Sequence, residues 1–468
     1  MSWVGQSFEL DVDAFAHGGH CVGRHEGRVV FVRHTLPGER VVAQVTEDRG
    51  GSFCRADAVS VVRAADSRVE PPCPYAHPGG CGGCDLQHVA PEAQRSLKAD
   101  VVREQLVRLG GLSSVDEIFS GVEELPGGSL GWRTRVQFAV DAAGRAGLHP
   151  HRSREVLPIA NCPIADPRIS SLGVTDLPWP GLAAVEAVVS SGGDDAVVVD
   201  VPSPSGRSTG GRSDGGRSGG GRPDGRRRRG GGRPVPRRPV VVELPEELPE
   251  SVAVLAASSP IRNTGRPPAE AVRGHRRVRE IAADRRWYVR ADGFWQVHPA
   301  APDALAAAVL EALAPSAGES VLDLYAGAGL FAGVLGERVG DTGRVVAVEA
   351  DRGACDDARR NLRDLEHVEV VAARVDRALD GGLPGEVDLV VLDPPRSGAG
   401  AAVVGEIVAR SPRAVAYVAC DPAAFARDVA TFAEHGYALT RVRAFDAFPM
   451  THHVECVGTL SPARVGGP

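Results

Sequence analysis

Cys420 ends an apolar run, residues 414–418, in the tetrapeptide Ala419-Cys420-Asp421-Pro422, and Glu455 stands in another apolar run, residues 454–459. A cysteine at the carboxyl end of a strand can act as a nucleophile once its thiol has lost a proton. A carboxylate embedded in an apolar strand holds protons more tightly than an exposed one, which suits a general base that must later release them. Each residue alone also fits a plainer role, a buried core cysteine or a solvated edge-strand carboxylate. Together they can run one reaction. A thiolate adds to C6 of a pyrimidine, C5 becomes an enolate-like carbon able to take a methyl group from a sulfonium donor, and the base removes the C5 proton. His452 and His453 are further candidates for the base, although neighbours on a strand face opposite ways.

A site for such a donor is legible upstream. Residues 320–324 run into Tyr325-Ala326-Gly327-Ala328-Gly329 and a helix from Leu330, and the next strand ends in Val348-Glu349. This is a first strand–turn–helix unit with an acid at the tip of the second strand. Leu330-Phe331-Ala332 is bulkier than a pyrophosphate-binding helix start prefers. S-adenosylmethionine therefore fits better than a dinucleotide, with Glu349 accepting from both ribose hydroxyls. Strand residues 390–392 end in Asp393-Pro394-Pro395-Arg396, a carboxylate at the edge where open α/β sheets hold ligands, followed by two prolines that stiffen the loop. Enzymes that methylate exocyclic amines commonly carry an aromatic residue after Pro-Pro, and Arg396 in that place argues against their chemistry.

Cys73, Cys81 and Cys84 form Cys-x7-Cys-Gly-Gly-Cys, and Cys162 lies far along in Asn161-Cys162-Pro163. Two cysteines separated by two residues let one turn present both thiolates to one centre. The spacing leaves a four-thiolate zinc site and an iron-sulfur cluster equally open. Nine cysteines among 468 residues are too few for a disulfide framework.

Three segments must position these residues. Residues 1–65 alternate apolar and polar in short glycine-broken runs, a small β-barrel pattern. Residues 66–295 form a central α+β segment with the cysteines, a helix over 91–110 and strands around 133–140. It includes a Gly/Arg-rich insert at 203–234, too poor in apolar residues to fold. Residues 296–468 alternate β-branched runs with helices, the rhythm of an α/β, doubly wound Rossmann-like sheet. No apolar run approaches the roughly 18 residues that span a bilayer, and residues 1–15 lack a signal-peptide pattern, so the cytoplasm is the expected location.

The net charge of −7 argues at first against a polyanionic partner. It averages unlike parts. Residues 206–238 hold eleven Arg against two acids, 262–290 nine against three, and 300–468 fifteen against 24. Binding to a polyanion is thus expected to be local, through the insert and residues 262–290. Lys98 is the only lysine.

The first segment carries Gly18-Gly19-His20-Cys21-Val22-Gly23-Arg24, Val29-Val30-Phe31-Val32 and Leu36-Pro37-Gly38-Glu39-Arg40-Val41. In these runs it resembles the TRAM domain, an OB-like RNA-binding module. The Gly turn, Asp-Pro-Pro-Arg, Cys-Asp-Pro and Thr451-His452-His453-Val454-Glu455, in this order, resemble the RNA uracil-5-methyltransferases. The resemblance implies Cys420 as nucleophile and Glu455 as base. It implies Gln296 of Phe294-Trp295-Gln296-Val297-His298, Tyr325, Glu349 and Asp393 around S-adenosylmethionine, with Asp376 toward the adenine. It also implies a [4Fe-4S] cluster, rather than structural zinc, on Cys73, Cys81, Cys84 and Cys162. The substrate would be a uridine in structured RNA, a tRNA or 23S rRNA, and a monomer is expected.

Three departures stand out: Asp421 where the family usually has Asn, His298 where Asn often stands, and a longer gap between Cys73 and Cys81. An acid beside the nucleophile should raise the thiol's hold on its proton. Two other readings remain, a base N-methyltransferase built on Asp393-Pro394-Pro395 and an RNA-binding paralogue with weak or no turnover.

Overall fold

The computed structural model describes residues 2–202, 242–257 and 269–463. The insert read as disordered, 203–234, lies outside them, as do Arg262 and Arg266. Strands Ser7–Ala16, His20–His25, Arg28–Arg33, Arg40–Glu47 and Phe53–Arg63 close into a barrel, the fifth strand inserted between the third and fourth. Alternation puts Leu10, Val12, Val30, Val32, Val41 and Val45 inside, and closure leaves no unpaired strand edge.

Helix Pro91–Arg108 starts with proline at its first turn, where a missing N–H costs nothing. Its Leu97 packs beneath the barrel, while Val102 and Leu106 enter the core of the C-terminal sheet. Seven strands make the central sheet, in the order Glu270–Arg273, Ala253–Ala257, Asp195–Asp200, Ala184–Val189, Arg135–Val140, Ala146–Leu148 and Leu157–Pro158.

The C-terminal sheet has eight strands, ordered Val368–Ala372, Arg344–Glu349, Ser320–Leu324, Leu389–Leu392, Ala414–Ala419, Glu455–Pro462, Tyr437–Phe445 and Phe119–Glu123. The first five are parallel; Ser320–Leu324, Leu389–Leu392 and Ala414–Ala419 are almost wholly apolar, as strands buried on both faces must be, while the edge strand Val368–Ala372 is only partly buried. Strand order reverses between Ser320–Leu324 and Leu389–Leu392, which opens a crevice beyond their carboxyl ends. Glu455–Pro462 runs antiparallel to Ala414–Ala419 and is flanked on its other side by Tyr437–Phe445. Glu455 therefore belongs to an interior strand, not to an edge. Its outermost neighbour, Phe119–Glu123, comes from the central segment, so that segment supplies both a helix and a strand to the catalytic core.

Candidate active site

The Gly turn and Asp393 meet at the crevice. Tyr325 takes the left-handed region with φ 66°, an uncommon state for a bulky residue that tends to persist at ligand sites. A Cβ on Gly327 would meet nothing within 4 Å, so the turn leaves open space there, whereas one on Gly329 would lie 2.8 Å from Leu362. Glu349 accepts from Gly327 N at 2.9 Å and Asp351 N at 2.6 Å, which fixes its carboxylate and leaves lone pairs for hydroxyls. Burial, and then the nearby charge of Asp376, pushes the Tyr325 hydroxyl up to about 12. Asp376 is half-buried beside that tyrosine and accepts from Arg374.

Gln296 is buried in a loop held by Thr134, whose N–H and hydroxyl both donate to the Val297 carbonyl at 2.9 Å. The departure at His298 is absorbed by packing. Its ring stacks on Trp132 at 5.7 Å, and burial lowers its pKa to about 4, so it sits neutral.

The two candidate reacting residues are placed by register. Ala419 pairs with Cys456, so Cys420 and Glu455, one step further along each antiparallel strand, fall opposite each other. Glu455 is 5% exposed, and its Oε2 has no hydrogen-bond partner among the described residues. Burial first, then the charge of Asp393, raises its proton affinity, and Arg396 opposes the rise. Burial, then the charges of Glu455 and Asp393, pushes the Cys420 thiol up to about 12. Arg396 counters this, and Asp421 adds a smaller rise than those two carboxylates do. Asp421 is otherwise engaged: it caps helix Pro422–Glu434 by accepting from Ala424 N at 2.8 Å and pairs with His17 of the barrel at 3.3 Å.

A cavity of about 60 Å³ opens onto Cys420, between Arg396, His452, His453 and barrel residues 15–18. The two histidines do not alternate along a strand as expected. They lie in the turn before it, so both rings reach this cavity, 4.0 Å apart.

The four expected cysteine ligands line a single cavity of about 240 Å³. Gly83 N donates to Cys81 Sγ at 3.4 Å, and backbone N–H groups of Tyr75 and Ala76 face Cys73 while those of Ile164 and Ala165 face Cys162. A Cβ on Gly82 would come within 2.5 Å of His151 N, so the tight Cys-Gly-Gly-Cys loop requires glycine there. Among the described residues no three His, Cys, Asp or Glu side chains are arranged to hold a single metal ion.

Comparison with known proteins shows the family. The TRAM domain family matches residues 2–59, tRNA (Uracil-5-)-methyltransferase matches 385–462, and Protein-L-isoaspartate(D-aspartate) O-methyltransferase matches 294–381. An RNA methyltransferase of Streptomyces coelicolor is 46% identical over 100% of this chain and 95% of its own length. The 23S rRNA (uracil(1939)-C(5))-methyltransferase of Alkalilimnicola ehrlichii is 32% identical over 97% of this chain and 96% of its own. The chain belongs to the RNA uracil-5-methyltransferases. The crystal structure of Pyrococcus abyssi tRNA (uracil-54, C5)-methyltransferase with S-adenosyl-L-homocysteine shares the fold, with TM-score 0.67 and 20% identity over 96% of this chain and 99% of that one.

In this methyltransferase several arginines between residues 269 and 290 are paired within the protein. Arg277 pairs with Asp357 at 2.5 Å, Arg279 with Asp194 at 2.9 Å, Arg285 with Asp364 at 2.9 Å and Arg290 with Asp351 at 3.0 Å. Arg273 donates to the carbonyls of Val252 and Pro249. Arg277, Arg285 and Arg290 join the central segment to acids of the C-terminal domain, whereas Arg273 and Arg279 bond within the central segment, a use that charge counting along a sequence cannot reveal.

Lys98 is likewise internal. It is fully buried and donates to Asp446 at 2.5 Å and to the Phe448 carbonyl at 3.1 Å, anchoring the turn that leads to Glu455. Lys98→Met would strand a buried carboxylate and should lower unfolding free energy by about 3–5 kcal/mol in denaturant titrations.

Two residues went unmarked in the sequence. Asp323 is wholly buried beside the Gly turn, accepts from Ala332 N at 2.7 Å, and is pushed up to about 8 by burial and then by Asp393 and Glu349, so it keeps a proton at neutral pH. An acid inside an apolar strand was the available signal. Phe294, two residues before Gln296, is 73% exposed, an aromatic face of the kind on which bases stack. No signal in the sequence separates it from buried Trp295.

Proposed function

We propose that this enzyme methylates C5 of a uridine in tRNA or 23S rRNA with S-adenosylmethionine as donor, through a Cys420–C6 adduct and with Glu455 removing the C5 proton. The observation that carries the reading is the strand register that sets Cys420 opposite a buried carboxylate with an unpartnered oxygen. The donor supplies an electrophilic methyl group, and its positive charge favours ionisation of the nearby carboxylates when it binds. Glu349 is suited to ribose hydroxyls, and Gln296, Tyr325, Asp376 and Asp393 would hold the rest of the donor. Relatives that act on tRNA and on 23S rRNA bracket the substrate. Nucleoside mass spectrometry of both RNAs from a deletion strain should show which 5-methyluridine disappears; loss of none would sink the reading.

The cysteine cavity supports a [4Fe-4S] cluster on Cys73, Cys81, Cys84 and Cys162. Thiols spread around a cavity and faced by backbone N–H groups suit a multi-iron cluster. One zinc ion would instead require four bonds of about 2.3 Å to a point. Anaerobically purified protein should be brown, absorb broadly at about 400 nm and contain iron. Cys84→Ala should lose both colour and iron, and a colourless zinc protein is the contrary outcome.

A further inference from the structure

We propose that His452, oriented by Asp85, takes the thiol proton of Cys420 as the sulfur adds to C6 of the target uridine. The proposal rests on the reading of Cys420 as nucleophile and adds to it a residue from outside the catalytic pair.

His452 and Cys420 line the same cavity of about 60 Å³. His452 Nδ1 lies 2.5 Å from Asp85 Oδ2, and the other oxygen of Asp85 lies 3.6 Å from buried Arg33. A carboxylate at Nδ1 holds the proton there, which leaves Nε2 with a lone pair for a proton to come. The three residues come from three parts of the chain: Arg33 from the barrel, Asp85 from the loop just after Cys84, and His452 from the catalytic domain. The barrel closes the pair tightly, since a Cβ on Gly19 would lie 2.8 Å from Asp85 Cγ and 2.9 Å from His452 Nδ1. Backbone packed this closely holds the ring in one orientation.

The other groups near Cys420 are committed elsewhere. His453 Nε2 accepts from Arg396 at 3.2 Å, and burial, His452 and Arg396 lower its pKa to about 3, so it is a fixed neutral acceptor. Asp421 caps a helix and pairs with His17. Glu455 is needed for the C5 proton and is itself raised by burial. A thiol pushed up to about 12 still has to surrender its proton for addition to proceed.

The step balances. The Sγ–H bond breaks and its proton passes to His452 Nε2, while the sulfur electron pair forms the S–C6 bond. The C5–C6 π pair shifts to C5 and O4 as an enolate, and C5 takes the methyl group of the sulfonium donor as the methyl–sulfur bond breaks and its pair stays on sulfur, leaving a thioether. Glu455 removes the C5 proton, the returning pair expels the thiolate from C6, and the thiolate recovers its proton from His452.

Trapping with RNA containing 5-fluorouridine isolates adduct formation from the later steps. His452→Gln and Asp85→Asn, with iron content and thermal transition matching wild type, should form the adduct roughly 10²–10⁴-fold more slowly at unchanged RNA affinity. Asp85→Glu should recover part of the loss. Adduct formation at the wild-type rate in His452→Gln overturns the assignment, as does a loss wholly explained by weaker RNA binding. If wild type itself traps no RNA, the uridine C5 reading fails instead. Should Asp85→Asn misfold, iodoacetamide alkylation of Cys420 in RNA-free His452→Gln, followed by peptide mass spectrometry, decides: slower alkylation supports proton transfer to His452, and an unchanged rate refutes it.

Discussion

Cys420→Ala is expected to remove methyl transfer by about 10⁵-fold or more and to abolish the covalent RNA adduct, while RNA affinity stays at the wild-type level. C5 of an uncharged uracil is a poor nucleophile, and thiol addition at C6 is what gives it enolate character. No other group at the site can take that part, because Glu455 and Asp393 are proton acceptors and His453 is held neutral against Arg396. The fold should survive the change, since Cys420 is only half-buried and follows the alanine-rich strand Ala414–Ala419, where loss of one sulfur leaves little void. Incorporation of labelled methyl groups and a denaturing gel of the RNA complex read the two effects. Full methylation by Cys420→Ala would instead favour an amine methyltransferase acting through Asp393-Pro394-Pro395.

How far the sequence carried this picture depended on whether the information was local. Strands Ser320–Leu324 and Ala414–Ala419 are apolar runs bounded by turn residues, and each ends where its pattern ends, so Asp393, Cys420 and the Gly turn could be placed at one sheet edge before any coordinates. The TRAM and methyltransferase motifs added the roles. What stayed hidden was pairing between distant segments. That Glu455 lies in an interior strand opposite Cys420 follows from an antiparallel insertion between two other strands, which periodicity does not specify. The same limit applies to the arginines. Arg277 and Asp357 are 80 residues apart, and only the folded chain shows that each neutralises the other. Lys98 and Asp446 are a similar case, as are Asp85 and His452, each residue unremarkable until the barrel, the cysteine loop and the catalytic sheet converge.

Glu455→Gln should separate catalysis from stability by moving them in opposite directions. The variant can still add Cys420 to C6 and accept a methyl group at C5, but it has no carboxylate to remove the C5 proton, so the methylated adduct should accumulate on unmodified RNA. Turnover should fall roughly 10²–10⁴-fold, the usual contribution of a positioned general base. A denaturing gel detects the trapped protein–RNA species, and resolution of the adduct at the wild-type rate would hand the base role to another group. Stability follows from the proton linkage. Burial, reinforced by Asp393, raises the affinity of folded Glu455 for a proton above its ordinary value of 4.5. A carboxyl raised in the folded state contributes stability that is complete below that ordinary value and is lost as the pH climbs toward the raised one. Glutamine carries no such penalty. Denaturant midpoints of the two proteins should therefore coincide near pH 4 and diverge toward neutral pH, with the inactive variant the more stable. A constant difference across that range would mean that Glu455 is ionised in the folded enzyme without penalty, and that its orphaned oxygen finds a partner in solution.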